Sequence, residues 1–200
     1  MEKLDTLRRR PRASAALVFS VMASVVLCAQ SPRPAPRRVA IHAAHLVDPV
    51  AGARLDDVLV LVEGERIVSV QAGRGGAAGA ETIELGRATL LPGLIDVHSH
   101  LTTQSEDYIS DTFRRSPIDA AVRAHVHARR TVEAGFTSVR DVGAPEYVDV
   151  ALRNAIADGT IVGPRMAVAT IALSATGGHG DLNGFSPNLR FEGVSGIADG

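Results

Sequence analysis

Polar and apolar positions change rhythm twice along the 200-residue chain. Residues 13–29 hold no charge and are rich in apolar side chains, from Leu17-Val18-Phe19 to Val25-Val26-Leu27. They follow a basic cluster of Arg8, Arg9, Arg10 and Arg12. A basic start, an apolar run and small residues near Ala29 are the layout of a secretory signal peptide over residues 1–29. The run is slightly short of the roughly 20 residues a spanning helix wants. Cleavage after Ala29 is therefore expected, with an uncleaved membrane anchor as the alternative. Residues 30–38 hold Pro32, Pro34 and Pro36 and read as an extended linker.

From Val39 to Leu90 short apolar runs are separated by turn residues, which predicts strands. Val39–Ile41 and Leu46-Val47 read as a first short pair, followed by a turn from Asp48-Pro49 to Gly52. Val58–Val62 is a continuous run, Glu63-Gly64-Glu65 a hairpin turn, and Arg66–Val70 the return strand with Ile67 and Val70 inward. A Gly/Ala loop over 73–79 leads to two further short strands, Thr82–Leu85 and Ala88–Leu91. Residues 39–90 thus predict a small, partial β-sandwich.

Past Leu94 the rhythm becomes strand–helix alternation, which predicts βα units and a parallel sheet. The strands are Leu94–His100, Phe136–Val142 and Met166–Leu173. A polar loop, Thr102–Ser116, follows the first. Ser116-Pro117-Ile118-Asp119 starts a helix that runs to about Ala134, with Ile118, Ala121, Val122, Ala128 and Val132 as its apolar and small stripe and Gly135 as its stop. Pro145–Asp158 is the second helix, stopped by Gly159.

Charge and cysteine content narrow the function. The chain carries net −1 with scattered charges, so no basic stripe for nucleic acid is present. Cys28 is the only cysteine and sits in the leader. The rest of the chain has no thiol for catalysis, metal ligation or an internal disulfide.

The chemistry concentrates in LLPGLIDVHSHL, residues 90–101. Pro92-Gly93 breaks the preceding structure, and an apolar strand then leads into His98 and His100. Side chains alternate along a strand, so the two imidazoles share a side with Asp96 and form half of a metal site. A bare pair of histidines is a weak signal; its setting between a strand and a βα pattern strengthens it. His42 and His45 read as surface or structural groups. His125 and His127 lie two apart on a helix, diverge by about 200° and cannot share an ion. Arg140 and Asp141 close the second strand, where an Arg–carboxylate pair fixing the strand end competes with a working role. After the third strand comes Ser-Ala-Thr-Gly-Gly-His-Gly-Asp, residues 174–181. Its three glycines let backbone approach something closely around His179, or make a mobile loop with a surface histidine.

The string PGLIDVHSH resembles the first-strand signature of the amidohydrolase superfamily. AGFTSVRDVG, GPRM and SATGGHGD are similar to its imidazolonepropionase-like branch, which includes Xaa-Pro and related dipeptidases. The resemblance implies an α/β fold: the N-terminal part of a (β/α)8 TIM-like barrel over 91–200, preceded by a small β-sandwich. It implies that His98 and His100 are metal ligands and that His179 binds substrate. It assigns no catalytic residue within this chain. A carboxylated lysine at strand four, histidines at strands five and six and an aspartate at strand eight complete the family's site. Eight βα units need around 250 residues, so three strands mark an N-terminal fragment, expected to be inactive by itself.

The implied activity is hydrolysis of C–N amide bonds in peptide-like or N-acyl amino acid substrates, with one or two divalent ions and zinc the first candidate. A cyclic-amide hydrolase or deaminase of the same superfamily is the alternative, and a non-catalytic binding fragment is another. The partners expected are a small-molecule or dipeptide substrate, without nucleic acid and without stable membrane insertion once the leader is cleaved. Self-association stays open. Export implies a secreted or periplasmic protein.

Overall fold

A computed structural model describes residues 35–75, 77–103, 107–181, 183–189 and 196–200. The expected leader, with Cys28, and most of the Pro-rich linker lie outside the described residues. The chain divides into two compact units, one ending at Leu90 and the other comprising Leu91–Gly200.

The first unit holds β1 (Arg38–Asp48), β2 (Ala53–Glu63), β3 (Arg66–Ala72), β4 (Glu81–Glu84) and β5 (Thr89–Leu90). They form one mixed sheet in the order β3-β2-β1-β4, with β5 also on β1. The turn between β1 and β2 forms because the Asp48 carboxylate accepts the amide N–H groups of Val50 and Ala51, at 2.9 and 3.1 Å. Gly52 supplies a left-handed φ of 62° there. β1 is one 11-residue strand, not the two short ones predicted. Ala43, Ala44 and His45 lack apolar alternation, but Ala43 and His45 pair with Val58 and Asp56 of β2, which carries the strand through. Ile67 and Val70, expected to face inward, are exposed. They lie on the edge strand β3. Ala40, Ala43, Val58, Leu59 and Val60 form the buried apolar part of the sheet.

The second unit holds β6 (Leu94–Ser99), α1 (Tyr108–Arg114), α2 (Pro117–Glu133), β7 (Phe136–Asp141), a 3-10 turn (Pro145–Tyr147), α3 (Val148–Ala157) and β8 (Arg165–Val168). The three strands are parallel and adjacent in sequence order. This is the mixed α/β fold that the alternation predicts. α2 begins on a reciprocal cap: Ser116 Oγ accepts the Asp119 N–H, and the Asp119 carboxylate accepts the Ser116 N–H. Its packing face is Ala124 and Ala128, against Leu101, Val139 and Leu152. Ile118 and Val122, expected in that stripe, are 73% and 64% exposed. The two alanines, one turn apart, let the helix lie close to the sheet and leave the larger side chains off the contact line.

Three boundaries differ from the sequence reading. The loop 102–116 contains α1, capped by Asp107, whose carboxylate accepts the Ser110 N–H. α3 starts at Val148 because Glu146 and Tyr147 take left-handed conformations, φ 47° and 59°, that no α-helix continues. β8 ends at Val168, well short of Leu173. Thr170 sits at φ 66°, and its N–H is taken by the buried Asp149 carboxylate at 2.9 Å instead of by a sheet neighbour. The chain turns there and leaves Ile171 and Leu173 exposed. Further on, Ser174 bridges to Ile197.

Candidate metal centre

The histidine pair sits where β6 leaves the sheet. Leu94 pairs with Phe136 and Ile95 with Ser138, so β7 holds one extra residue, Thr137. Asp96 then pairs with Val139 and Ser99 with Asp141, so β6 gives the residue back between Asp96 and Ser99. Such irregularities re-aim side chains. Here the Asp96 carboxylate accepts the His98 N–H at 3.0 Å in place of a ladder bond. Ser99 is buried on one side, while His98 and His100 stand together, ring centroids 5.6 Å apart and nearly perpendicular at 69°.

That separation suits a shared ion. Two imidazoles bound to one zinc at about 2.0–2.1 Å per bond in a tetrahedral arrangement have ring centroids roughly 5 Å apart. The second requirement, a fixed tautomer, is also met on one ring. His100 Nδ1 lies 3.0 Å from the Gly143 carbonyl. A carbonyl only accepts, so Nδ1 carries the proton and Nε2 keeps its lone pair. Among the described residues no third His, Cys, Asp or Glu joins the pair. The donors present fit half of a zinc, manganese or cobalt site, since imidazole serves all three. Ser99 Oγ and Thr102 Oγ1, on either side of His100 in sequence, are buried without a hydrogen-bond partner among the described residues.

Asp141 is not the partner of Arg140 that the sequence suggested. Arg140 is exposed and Asp141 fully buried. The Asp141 carboxylate accepts two backbone N–H groups, from Leu101 at 2.8 Å and Gly143 at 3.2 Å. Burial pushes its carboxyl above the usual carboxylate range and Asp149 adds repulsion, against the pull of the two amides and of His100. The folded state therefore holds this proton to higher pH than the unfolded state does. The stability that proton brings is complete below the unfolded carboxylate pKa and is lost as pH rises through the raised folded one. Above the ordinary carboxylate pKa of roughly 4, the unfolding free energy of the wild type relative to Asp141→Asn is expected to fall with rising pH. Chemical denaturation at several pH values measures it, and a pH-independent difference would contradict the assignment.

The remaining candidates are placed elsewhere. His179 is exposed and does not join the pair as a third donor. Its loop is stapled: Thr176 donates through N–H and hydroxyl to Asp199, Gly177 N–H to Asp181, and Gly180 N–H to Ser174 Oγ. A Cβ on Gly178 would lie 2.5 Å from Ser174 Oγ, so this glycine serves close approach. His42 is buried between Glu84 and Asp57, at 3.0 and 2.9 Å, and His45 contacts Asp56 at 2.7 Å; both tie the first sheet together. His125 hydrogen-bonds the Val122 carbonyl. Burial, with Arg130 and His125, holds His127 below the usual imidazole range. Asp149 escaped the sequence reading, and so did the bonds of Asp141. The signal for Asp141 was Asp-Val-Gly at a strand end, the spacing at which an aspartate caps its own backbone two residues on.

The sequence model of the amidohydrolase family matches residues 89–195. Ochratoxinase of Aspergillus niger is 38% identical over 96 residues, which is 46% of this chain and 19% of that protein. Dihydroorotase of Trichlorobacter lovleyi is 34% identical over 100 residues, 50% of this chain and 20% of that protein. A crystal structure of a Xaa-Pro dipeptidase with bound methionine in the active site superposes with a TM-score of 0.72 at 29% identity, over 82% of this chain and 41% of the dipeptidase. The match thus spans about a fifth of these curated relatives and less than half of that solved structure.

Proposed function

Because the chain belongs to the amidohydrolase family, we propose that it carries the first part of the active site of a metal-dependent hydrolase acting on C–N amide bonds of peptide-like or N-acyl amino acid substrates. The observation that carries this reading is the meeting of the His98 and His100 rings at the end of β6, with Nδ1 of His100 committed to Gly143. In this reading β6, β7 and β8 open a (β/α)8 barrel, and the sheet of residues 39–90 is one layer of a β-sandwich. Residues 1–29 direct export, which makes the protein secreted or periplasmic.

His98 and His100 would hold a divalent ion, zinc first. When bound, such an ion supplies Lewis acidity toward an amide carbonyl and the attacking water. The Gly143 carbonyl keeps the proton of His100 at Nδ1. An N–H of the His179 ring would donate to a substrate carboxylate, which suits the C-terminus of a dipeptide. Two protein donors are fewer than the three a catalytic zinc normally takes, so residues 30–200 alone are expected to bind zinc weakly and turn over nothing. The likeness to dihydroorotase supports a second reading, hydrolysis of a cyclic amide at the same site.

The test uses the whole protein, stripped with a chelator and reloaded with zinc, manganese or cobalt. Xaa-Pro dipeptides, N-acyl amino acids and cyclic amides are assayed in parallel. Activity lost on stripping and restored by metal is the expected result, and a preference for cyclic amides would favour the second reading. A well-folded protein that binds no metal, or full activity after stripping, would overturn both.

A further inference from the structure

The Gly143 carbonyl that fixes His100 is itself fixed by groups at the end of β7, at the start of α3 and just past β8. Gly143 C=O and Ala144 N–H belong to one planar trans peptide unit, so they point in opposite directions. Ala144 N–H donates to the Thr170 carbonyl at 2.8 Å. That bond sets the peptide plane and aims Gly143 C=O at the imidazole. Thr170 is in turn held in an unfavourable conformation. Its φ is 66°, and Ile171 N–H bonds to Ala169 C=O across it at 2.8 Å. A tight turn of this kind is rare and strained, most of all at a β-branched residue. The restraint comes from Asp149, which is fully buried; its Oδ2 accepts the Thr170 N–H at 2.9 Å and its Oδ1 accepts the Val150 N–H at 2.8 Å. On the other side, Asp141 binds the Gly143 N–H and the N–H of Leu101, the residue that follows His100.

We propose that Asp141 and Asp149 are positioning residues for His100: two buried carboxylates, at the end of β7 and the start of α3, that orient the Gly143–Ala144 peptide so that the imidazole keeps its proton on Nδ1 and presents Nε2. Each carboxylate uses both oxygens on backbone N–H groups. An asparagine in either place offers one acceptor and turns an N–H₂ toward the second amide, so it loosens the peptide with little change in volume. The proposal rests on the reading of His100 as a metal ligand for its purpose, but its central readout needs no metal.

That readout is the ring-nitrogen NMR signature of His100 in the whole protein, metal-free, at about pH 8, where an ordinary imidazole is neutral. The wild type is expected to show the Nδ1–H tautomer alone. Asp141→Asn and Asp149→Asn are expected to show mixed tautomers and to bind zinc about 10- to 100-fold more weakly. Leu152→Ala, which opens a cavity in the same core without touching these hydrogen bonds, should keep the single tautomer. A wild type dominated by Nε2–H would overturn the proposal even if neither Asn variant folds. So would Asn variants that fold with an unchanged tautomer, or a Leu152→Ala protein as mixed as they are. Mixed tautomers with unchanged zinc affinity would uphold the positioning role and instead remove His100 from the metal site.

Discussion

Replacing His100 with alanine is expected to abolish metal-dependent hydrolysis by the whole protein, and His98→Ala to do the same. An ion placed at a reacting carbonyl stabilises the transition state by several kcal/mol. At about 1.4 kcal/mol per factor of ten, losing it costs on the order of a thousandfold or more in rate. Both variants should also lose bound metal by elemental analysis while melting close to the metal-free wild type, because neither ring is part of the buried core. His179→Ala provides the contrast. A side chain that only binds a substrate carboxylate forfeits about 1.5–3 kcal/mol, read as a KM raised by roughly 10- to 100-fold with metal content intact. Bound metal and near-normal kcat in both the His98 and the His100 variants would end the assignment.

Gly93→Ala is expected to be strongly destabilising. The new Cβ would lie 2.1 Å from Thr137 Oγ1, 2.4 Å from its Cγ2 and 2.7 Å from its Cβ. All three are far inside contact distance. Rotating the threonine relieves only the first two, because its Cβ is fixed to the backbone of β7. The strands must separate at Leu94, whose N–H bonds to Gly135 C=O at 2.9 Å, just ahead of the histidines. Overpacking of this kind costs about 1–3 kcal/mol, a fall of several degrees in melting temperature. Adding Thr137→Gly removes all three of these atoms, so the double variant should recover most of the loss despite its extra glycine. A Gly93→Ala protein that melts like the wild type would refute the close packing.

Local chemistry made part of this structure legible in advance. Ser116, Pro117 and Asp119 announce α2 because each acts on its own neighbours. The strand–helix alternation gave the parallel order β6-β7-β8 for the same reason. What the sequence hid depends on contacts distant in the chain. Apolar Ala169–Leu173 reads as more strand, and only the carboxylate of Asp149, 21 residues upstream of Thr170, bends it away. Ala43-Ala44-His45 reads as a break, and only pairing with β2 carries the strand through. At the site, the adjacency of His98 and His100 was readable from their spacing, although the strand between Asp96 and Ser99 is not regular. The distant partner of Asp141 was not readable, because a neighbouring arginine is visible in a sequence and the amide of Leu101, 40 positions away, is not.

The paired slips of β6 against β7 bear on engineering. Thr137 is the surplus residue on one strand, and the stretch between Asp96 and Ser99 repays it on the other. Grafting the His-Ser-His tripeptide onto a straight strand of another scaffold would therefore transfer the letters without the aim. A transplant needs both irregularities, and a one-residue deletion in either strand would leave its partner's offset uncorrected along the rest of the ladder.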